Sequence, residues 1–198
     1  MAEHDPGGKV RTRMKDGMRG TAYFGGPGNC YRFMLTREWG GSDMEPFVMF
    51  IGMNPSTATG EENDPTITRE IGFTKRLGFT SYCKTNVSPY RWTDGKTLEK
   101  QQVNLSPEEN YTVIHDWARQ ASKVILATGN LGPRMMGIAK GLVKGLYRSG
   151  VSPLWCFGTT KNGSPRHTLY LPGDADLEGF MTWADTGERE HLNVGHEA

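Results

Sequence analysis

Residues 47–56 have the sequence Phe-Val-Met-Phe-Ile-Gly-Met-Asn-Pro-Ser, and this stretch decides the predicted fold. Its first five residues form a continuous apolar run, which is typical of a strand buried on both faces of a parallel sheet. Gly52 and the Asn54-Pro55 pair end the run, because glycine and Asn-Pro favour turns. We therefore expect a central strand followed at once by a polar loop.

Strand and helix patterns alternate outward from this central strand. Further strands are predicted over 31–35, 79–85, 123–128 and 154–157, and helices over 64–78, 106–121 and 133–147. Asp64-Pro65 and the capping box Ser106-Pro107-Glu108-Glu109 are helix-start signals. Repeated alternation of this kind favours an α/β fold. We predict three layers, α/β/α, with a central, mainly parallel four-stranded sheet.

The chain divides by composition into three parts. Residues 1–29 are rich in Gly, Asp, Lys and Arg without apolar periodicity, which predicts a flexible N-terminal arm. Residues 30–172 carry the alternating pattern and form the predicted domain, since a chain of 198 residues fits a single core. Residues 173–198 are acidic and weakly patterned, and we interpret them as a C-terminal tail.

Composition excludes several classes of protein. No stretch approaches the roughly 20 apolar residues of a membrane span, and the first residues lack the apolar core of a secretory signal, so we expect a cytoplasmic protein without membrane association. The three cysteines are scattered and odd in number, which argues against a disulfide framework. No compact His/Asp/Cys cluster or phosphate-binding glycine motif is present, so we predict no metal and no cofactor. We expect a monomer with no obligate protein partner.

The loops after the predicted strands are polar and collect basic residues, although the net charge of the chain is only +1. The basic residues are Arg91, Lys96, Arg134, Lys161 and Arg166. In parallel sheets ligands bind at the carboxyl ends of strands, so this arrangement suits a phosphate-bearing ligand. Tyr90 and Trp92 flank Arg91 and either stack on a base or simply cover the core.

The motif Gly52-Met53-Asn54-Pro55-Ser56 after a buried strand resembles the first motif of the uracil-DNA glycosylase superfamily. Asn86 at the end of the second strand and the late loop Ser164-Pro165-Arg166-His167 resemble its later motifs. Through the stretches 31–37, 63–66 and 163–171, residues 30–172 are also similar to a prokaryotic and phage family of uncharacterised glycosylase-like domains. The chain has His167-Thr168-Leu169 where the well-studied enzymes have His-Pro-Ser, and it lacks their acidic residue at position 54.

The resemblance and the chemistry of the side chains suggest roles for these residues. Asn54 would position a water molecule below the sugar carbon, Asp64 would supply a carboxylate or cap its helix, and His167 would stabilise the departing base or contact a phosphate. Asn86 would contact the base or serve only as a turn residue. The full expected sets are Met53, Asn86 and Tyr90 for the base, and Ser56, Thr57, Arg91, Lys161, Ser164 and Arg166 for DNA.

The resemblance implies a monofunctional DNA glycosylase with a uracil-DNA glycosylase-like fold. It would bind DNA, flip out a modified or damaged pyrimidine and leave an abasic site, without a cofactor. The resemblance also implies a biological setting, which is defence against phages with hypermodified DNA, such as DNA containing glucosylated hydroxymethylcytosine. Two alternatives remain open at this point: a sensor that flips a modified base without cutting, and a hydrolase of free nucleosides or nucleotides.

Overall fold

The computed structural model describes residues 2–8, 10–40 and 46–183. It contains three helices, α1 (Pro65–Arg76), α2 (Glu108–Gln120) and α3 (Pro133–Arg148), within those residues. The strands are β1 (Thr12–Arg13), β2 (Arg19–Gly25), β3 (Tyr31–Glu38), β4 (Val48–Gly52), β5 (Glu62–Asn63), β6 (Ser81–Asn86), β7 (Lys123–Leu126), β8 (Leu154–Cys156) and β9 (Glu178–Gly179). Every helix and strand predicted from the sequence has a counterpart, which confirms the α/β class.

The main sheet has seven strands among the described residues, in the order β2-β3-β6-β4-β7-β8-β9. Strand β4 pairs parallel with β6 and β7, and β7 pairs parallel with β8, whereas the outer pairs are antiparallel. The sheet is therefore larger and more mixed than the four-stranded, mainly parallel sheet predicted from the sequence. The difference arises because antiparallel strands extend it at both edges.

Helices cover both faces of the sheet because β4 is apolar on both. Met49 and Ile51 pack in one cluster with residues of α2 and α3, while Val48 and Phe50 pack in a second cluster with residues of α1. All four side chains are fully buried. The continuous apolar run at 47–51 thus correctly predicted a strand with two buried faces.

The helix-start signals have different outcomes. At α1, the Asp64 Oδ1 accepts a hydrogen bond of 2.9 Å from the Ile67 N–H, and Pro65 occupies the first turn, which confirms the predicted cap. At α2, Pro107 occupies the cap position and no side chain caps the helix, so the predicted Ser106 capping box is wrong. The helix begins at Glu108, too late for the Ser106 hydroxyl to serve as its N-cap.

Both terminal segments contribute to the sheet. Strand β2 lies within the predicted arm 1–29 and pairs with β3 along its whole length. Its inward positions Gly20 and Ala22 are small and only half-buried, so they produce no apolar periodicity in the sequence. Strand β9 lies in the predicted tail and pairs with β8, and residues 184–198 lie outside the described residues. Among the described residues, no helix combines the length and apolar character needed to cross a membrane.

Candidate functional site

A cavity of about 1080 Å³ lies at the carboxyl ends of the parallel strands. The chain runs from β4 to β6 on one side and later to β7 on the other, so the strand order reverses between β4 and β7. Crevices at such reversals are the usual ligand sites of open α/β sheets. Loops after β4, β6, β7 and β8 and the start of α1 supply the walls, including the predicted residues Met53, Asn54, Ser56, Thr57, Asp64, Lys96, Arg166 and His167.

Asn54 lines the cavity and is held by the backbone of a neighbouring loop. Its Nδ2 donates hydrogen bonds to the carbonyl oxygens of Trp92 at 2.6 Å and of Pro55 at 3.1 Å. Carbonyl oxygens only accept hydrogen bonds, so the amide must direct its nitrogen toward them. The Oδ1 is then the atom of Asn54 that remains to accept a hydrogen bond from a ligand or a water molecule.

Asp64 also lines the cavity, at the N terminus of α1. The residue is buried, and one carboxylate oxygen caps the helix through the Ile67 N–H. Capping of this kind stabilises a helix by about 1 kcal/mol. The structural role expected for Asp64 is therefore present, and its place in the cavity wall leaves a chemical role open to the same carboxylate.

His167 lines the cavity from the late loop, just before a short 3-10 helix over Thr168–Tyr170. Its Nδ1 accepts a hydrogen bond of 3.2 Å from the Leu169 N–H, so the neutral ring carries its proton on Nε2. Burial, followed by the nearby Lys84 charge, lowers the pKa of His167 below its ordinary value. At neutral pH His167 is thus an uncharged imidazole with an Nε2–H donor.

A glycine is required where the loop after β7 approaches His167. Gly129 has a φ of +68°, and a Cβ on it would lie 3.1 Å from the Cβ of His167. Its N–H donates to the Pro165 carbonyl at 2.8 Å. Any larger residue would combine backbone strain with a close contact, so Gly129 lets these two loops meet at the cavity.

A buried polar cluster lies next to His167 and consists of Glu70, Tyr82, Lys84 and Thr168. The sequence alone does not predict this cluster. The Glu70 Oε1 accepts hydrogen bonds from the Lys84 Nζ at 2.8 Å and from the Thr168 Oγ1 at 3.0 Å. The Tyr82 hydroxyl donates to Oε2 of the same carboxylate. One signal was available: Lys84 is a charged residue inside an otherwise buried strand, where charges need partners.

Five predicted site residues do not line the cavity, namely Asn86, Tyr90, Arg91, Lys161 and Ser164. Asn86 and Ser164 are buried, and neither the Asn86 amide nor the Ser164 hydroxyl has a hydrogen-bond partner among the described residues. Tyr90 packs in the core, as expected if its ring covers apolar area, whereas the neighbouring Trp92 lines the cavity. Lys161 is exposed on the loop after β8.

Arg91 is buried and does not reach the cavity. Its guanidinium donates to the Asn29 carbonyl at 2.9 Å, pairs with Glu3 at 3.4 Å and lies over the ring of Phe24. The predicted contact with a DNA phosphate therefore does not fit its position. The segment that covers Arg91 belongs to the predicted N-terminal arm, so the sequence pattern of the loop alone did not indicate this outcome.

The polar residues of the cavity wall are partly engaged with the protein itself. The Thr57 hydroxyl donates to the Val10 carbonyl at 3.1 Å, and the Ser56 hydroxyl lies 3.0 Å from that of Thr93. Among the described residues that line the cavity, Lys96 is the only lysine and Arg166 is the only arginine. The positive charge at the cavity is therefore more limited than the loop composition indicates.

Residues 32–169 match the model of a protein family described as "Protein of unknown function (DUF1643)". The chain belongs to the DUF1643 family. The matched region of this DUF1643 protein includes Asn54, Asp64 and His167, and it also includes the buried Glu70 and Lys84. No curated protein and no solved structure matches the chain. The family description names no activity, so the resemblance to the uracil-DNA glycosylases stays a prediction.

Proposed function

We propose that the protein is a DNA glycosylase that hydrolyses the N-glycosidic bond of a flipped, modified pyrimidine nucleotide. The observation that carries the proposal is that Asn54, Asp64 and His167, which come from three separate segments, line the same cavity. The parallel pairing of β4, β6, β7 and β8 and the helices on both faces support a three-layer, uracil-DNA glycosylase-like fold as part of this proposal.

The chemistry of glycosidic hydrolysis suits these three side chains. A water molecule that donates a hydrogen bond to the Asn54 Oδ1 is oriented for attack on the anomeric carbon. The carbon–nitrogen bond breaks, its electron pair leaves with the base, and the Asp64 carboxylate accepts the proton of the attacking water. The His167 Nε2–H donates a hydrogen bond to an oxygen of the base as negative charge develops there.

The size of the cavity supports a bulky base. Ligand pockets usually have volumes of about 300–1,000 Å³. The cavity, with a volume of about 1080 Å³, lies above that range. A single unmodified pyrimidine would fill only a small part of it. A hypermodified base such as glucosylated hydroxymethylcytosine would use more of this space, and defence against phages that carry such DNA is the corresponding biological proposal.

The direct test is an assay for abasic sites on DNA that contains uracil, a thymine mismatch, hydroxymethylcytosine or glucosylated hydroxymethylcytosine. We expect abasic sites on one of these substrates, and their loss in an Asn54→Ala variant. Because Asn54 also holds the Trp92 loop, DNA binding of the variant is measured in parallel. Tight binding of the wild-type protein without abasic sites on any substrate would favour the sensor instead.

The limited charge at the cavity favours one second candidate, a hydrolase of free nucleosides or nucleotides. Arg91 is buried, and the described cavity wall contains one lysine, Lys96, and one arginine, Arg166. An enzyme that follows a DNA backbone needs an extended row of cations, whereas a single nucleotide needs few. Release of free base from a modified deoxynucleoside monophosphate, with no reaction on DNA, would identify this activity.

Asp64 allows its two roles to be separated by substitution. Asparagine is as good a helix cap as aspartate, so Asp64→Asn should keep the stability of the protein, whereas Asp64→Ala should lose about 1 kcal/mol. If the carboxylate accepts the proton of the water, both variants should lose about 100-fold or more in single-turnover excision. Urea denaturation and excision kinetics check the two parts. Full activity of Asp64→Asn would show that Asp64 serves as a cap alone.

A further inference from the structure

The buried cluster around Glu70 joins three parts of the fold that carry the candidate site. Glu70 lies on α1, Tyr82 and Lys84 lie on β6, and Thr168 follows His167 directly in the late loop. All four residues are buried, and Glu70, Tyr82 and Thr168 have no exposed surface. The Glu70 carboxylate is the common acceptor, so α1, β6 and the late loop meet at a single group.

A cluster of this kind is a costly way to fill a core. Moving a carboxylate and an ammonium group out of water costs several kcal/mol for each ion, and apolar side chains of similar volume often give an equally stable or a more stable protein. The cluster instead fixes the geometry of its members, since hydrogen bonds hold the atoms they join within narrow distances and angles. The Thr168 hydroxyl fixes the residue next to His167.

We infer that Glu70, Tyr82 and Lys84 form a positioning network, which holds the His167 side chain in the candidate site through Thr168. The relevance of this network to catalysis rests on the proposed function, whereas its effect on His167 does not. Thr168 begins the 3-10 helix whose Leu169 N–H donates to the His167 Nδ1, so the network also sets which ring nitrogen faces the cavity. A displacement of a catalytic group by about 1 Å lowers a rate about 100-fold.

The electrostatic surroundings of His167 fit this arrangement. Burial and the positive charge of Lys84 lower the pKa of His167, while the negative charges of Glu70 and Asp64 raise it. Arg166 precedes it in the chain, and the Tyr170 ring lies 5.8 Å from the imidazole. Loosening the late loop would admit water and reduce the effect of burial, so the pKa of His167 would rise.

A pair of threonine variants tests the network. Thr168→Val removes the hydroxyl that reaches the Glu70 carboxylate, whereas Thr74→Val removes a hydroxyl that donates to the Glu70 backbone carbonyl within α1. Both threonines are fully buried, so the two substitutions are matched in size and burial. Thr168→Ser keeps the hydroxyl and serves as the rescue variant. Tyr82→Phe removes the other hydroxyl of the network and is the second test.

The measurements are the pKa of His167 by NMR titration and the single-turnover rate of base excision. In Thr168→Val we expect the pKa of His167 to rise and the rate to fall at least tenfold, with Tyr82→Phe changing both in the same direction. Thr74→Val and Thr168→Ser should keep both within about twofold of wild-type behaviour. Unchanged His167 titration and rate in folded Thr168→Val and Tyr82→Phe would overturn the inference.

The two readouts separate this inference from the proposed function. If the wild-type protein excises no base but Thr168→Val still raises the pKa of His167, the network is supported and the glycosylase proposal fails. If the wild-type protein excises a base and neither readout changes in the variants, the glycosylase proposal is supported and the network fails.

Discussion

A Lys84→Met variant should lose about 3 to 5 kcal/mol of unfolding free energy, because it leaves the Glu70 carboxylate buried without its cationic partner. The Lys84 Nζ lies 2.8 Å from the Glu70 Oε1, and both side chains are almost completely inaccessible to solvent. Methionine has a similar length, so the packing volume is largely kept. The loss therefore reports the unpaired charge rather than a cavity.

The double variant Lys84→Met/Glu70→Gln should recover most of this loss. Glutamine keeps an oxygen to accept from Tyr82 or Thr168 and carries no charge. Urea denaturation of Lys84→Met, Glu70→Gln and the double variant gives the coupling free energy between the two positions. The control is Arg119→Met, which removes an exposed ion pair of 3.8 Å with Asp116 and should change stability little. A loss in Lys84→Met no larger than that in the control would contradict a desolvated pair.

A His167→Asn variant should excise its base about 100- to 1,000-fold more slowly than the wild-type protein. Asparagine can cap the following 3-10 helix by accepting the Leu169 N–H, as the His167 Nδ1 does, but its shorter side chain cannot place a donor where Nε2–H lies. Loss of one donor to a developing oxyanion has an effect of this size in other enzymes. The variant thus separates the chemistry of His167 from its local structural role.

Single-turnover kinetics from pH 5 to 8 extend this test. Because the pKa of His167 is lowered, the imidazole stays neutral below the ordinary value of about 6.5. Protonation at more acidic pH places a proton on Nδ1, opposite the Leu169 N–H, and a positive charge near Lys84. Activity should therefore fall only below about pH 6.5.

His115→Asn is the control for the His167→Asn variant, since His115 is also half-buried with a lowered pKa but does not line the cavity. An equal loss in both variants would refute the role of His167.

The features predicted well from the sequence depend on local chemistry or on the common direction of the parallel strands. The apolar run at 47–51 and the Asp64-Pro65 start of α1 depend on residues close in the chain. Asn54, Asp64 and His167 line one cavity because their segments begin or end at the carboxyl edge of the parallel strands. This convergence follows from the common direction of the parallel strands, which the alternation of strands and helices already indicates.

The features predicted poorly depend on partners far away in the chain. Arg91 looks available for a ligand within its own loop, but Glu3 and the Asn29 carbonyl, both more than 60 residues away, bind its guanidinium. The Glu70 carboxylate accepts a hydrogen bond from Thr168, which lies 98 residues further along the chain. Hydrophobic periodicity carries no information about such contacts, because it reports only which face of each element is buried.

Gly52 restricts which substitutions can occur at the positions around it. A Cβ at this residue would lie 2.6 Å from the Lys84 Nζ and 2.8 Å from the Asn86 Oδ1. The ammonium group cannot swing aside easily because Glu70 holds it. A side chain at position 52 therefore requires a shorter residue at position 84, and loss of the Lys84 ammonium group in turn leaves the Glu70 carboxylate without its cation. Positions 52, 70 and 84 must therefore change together, which limits how this motif can diverge.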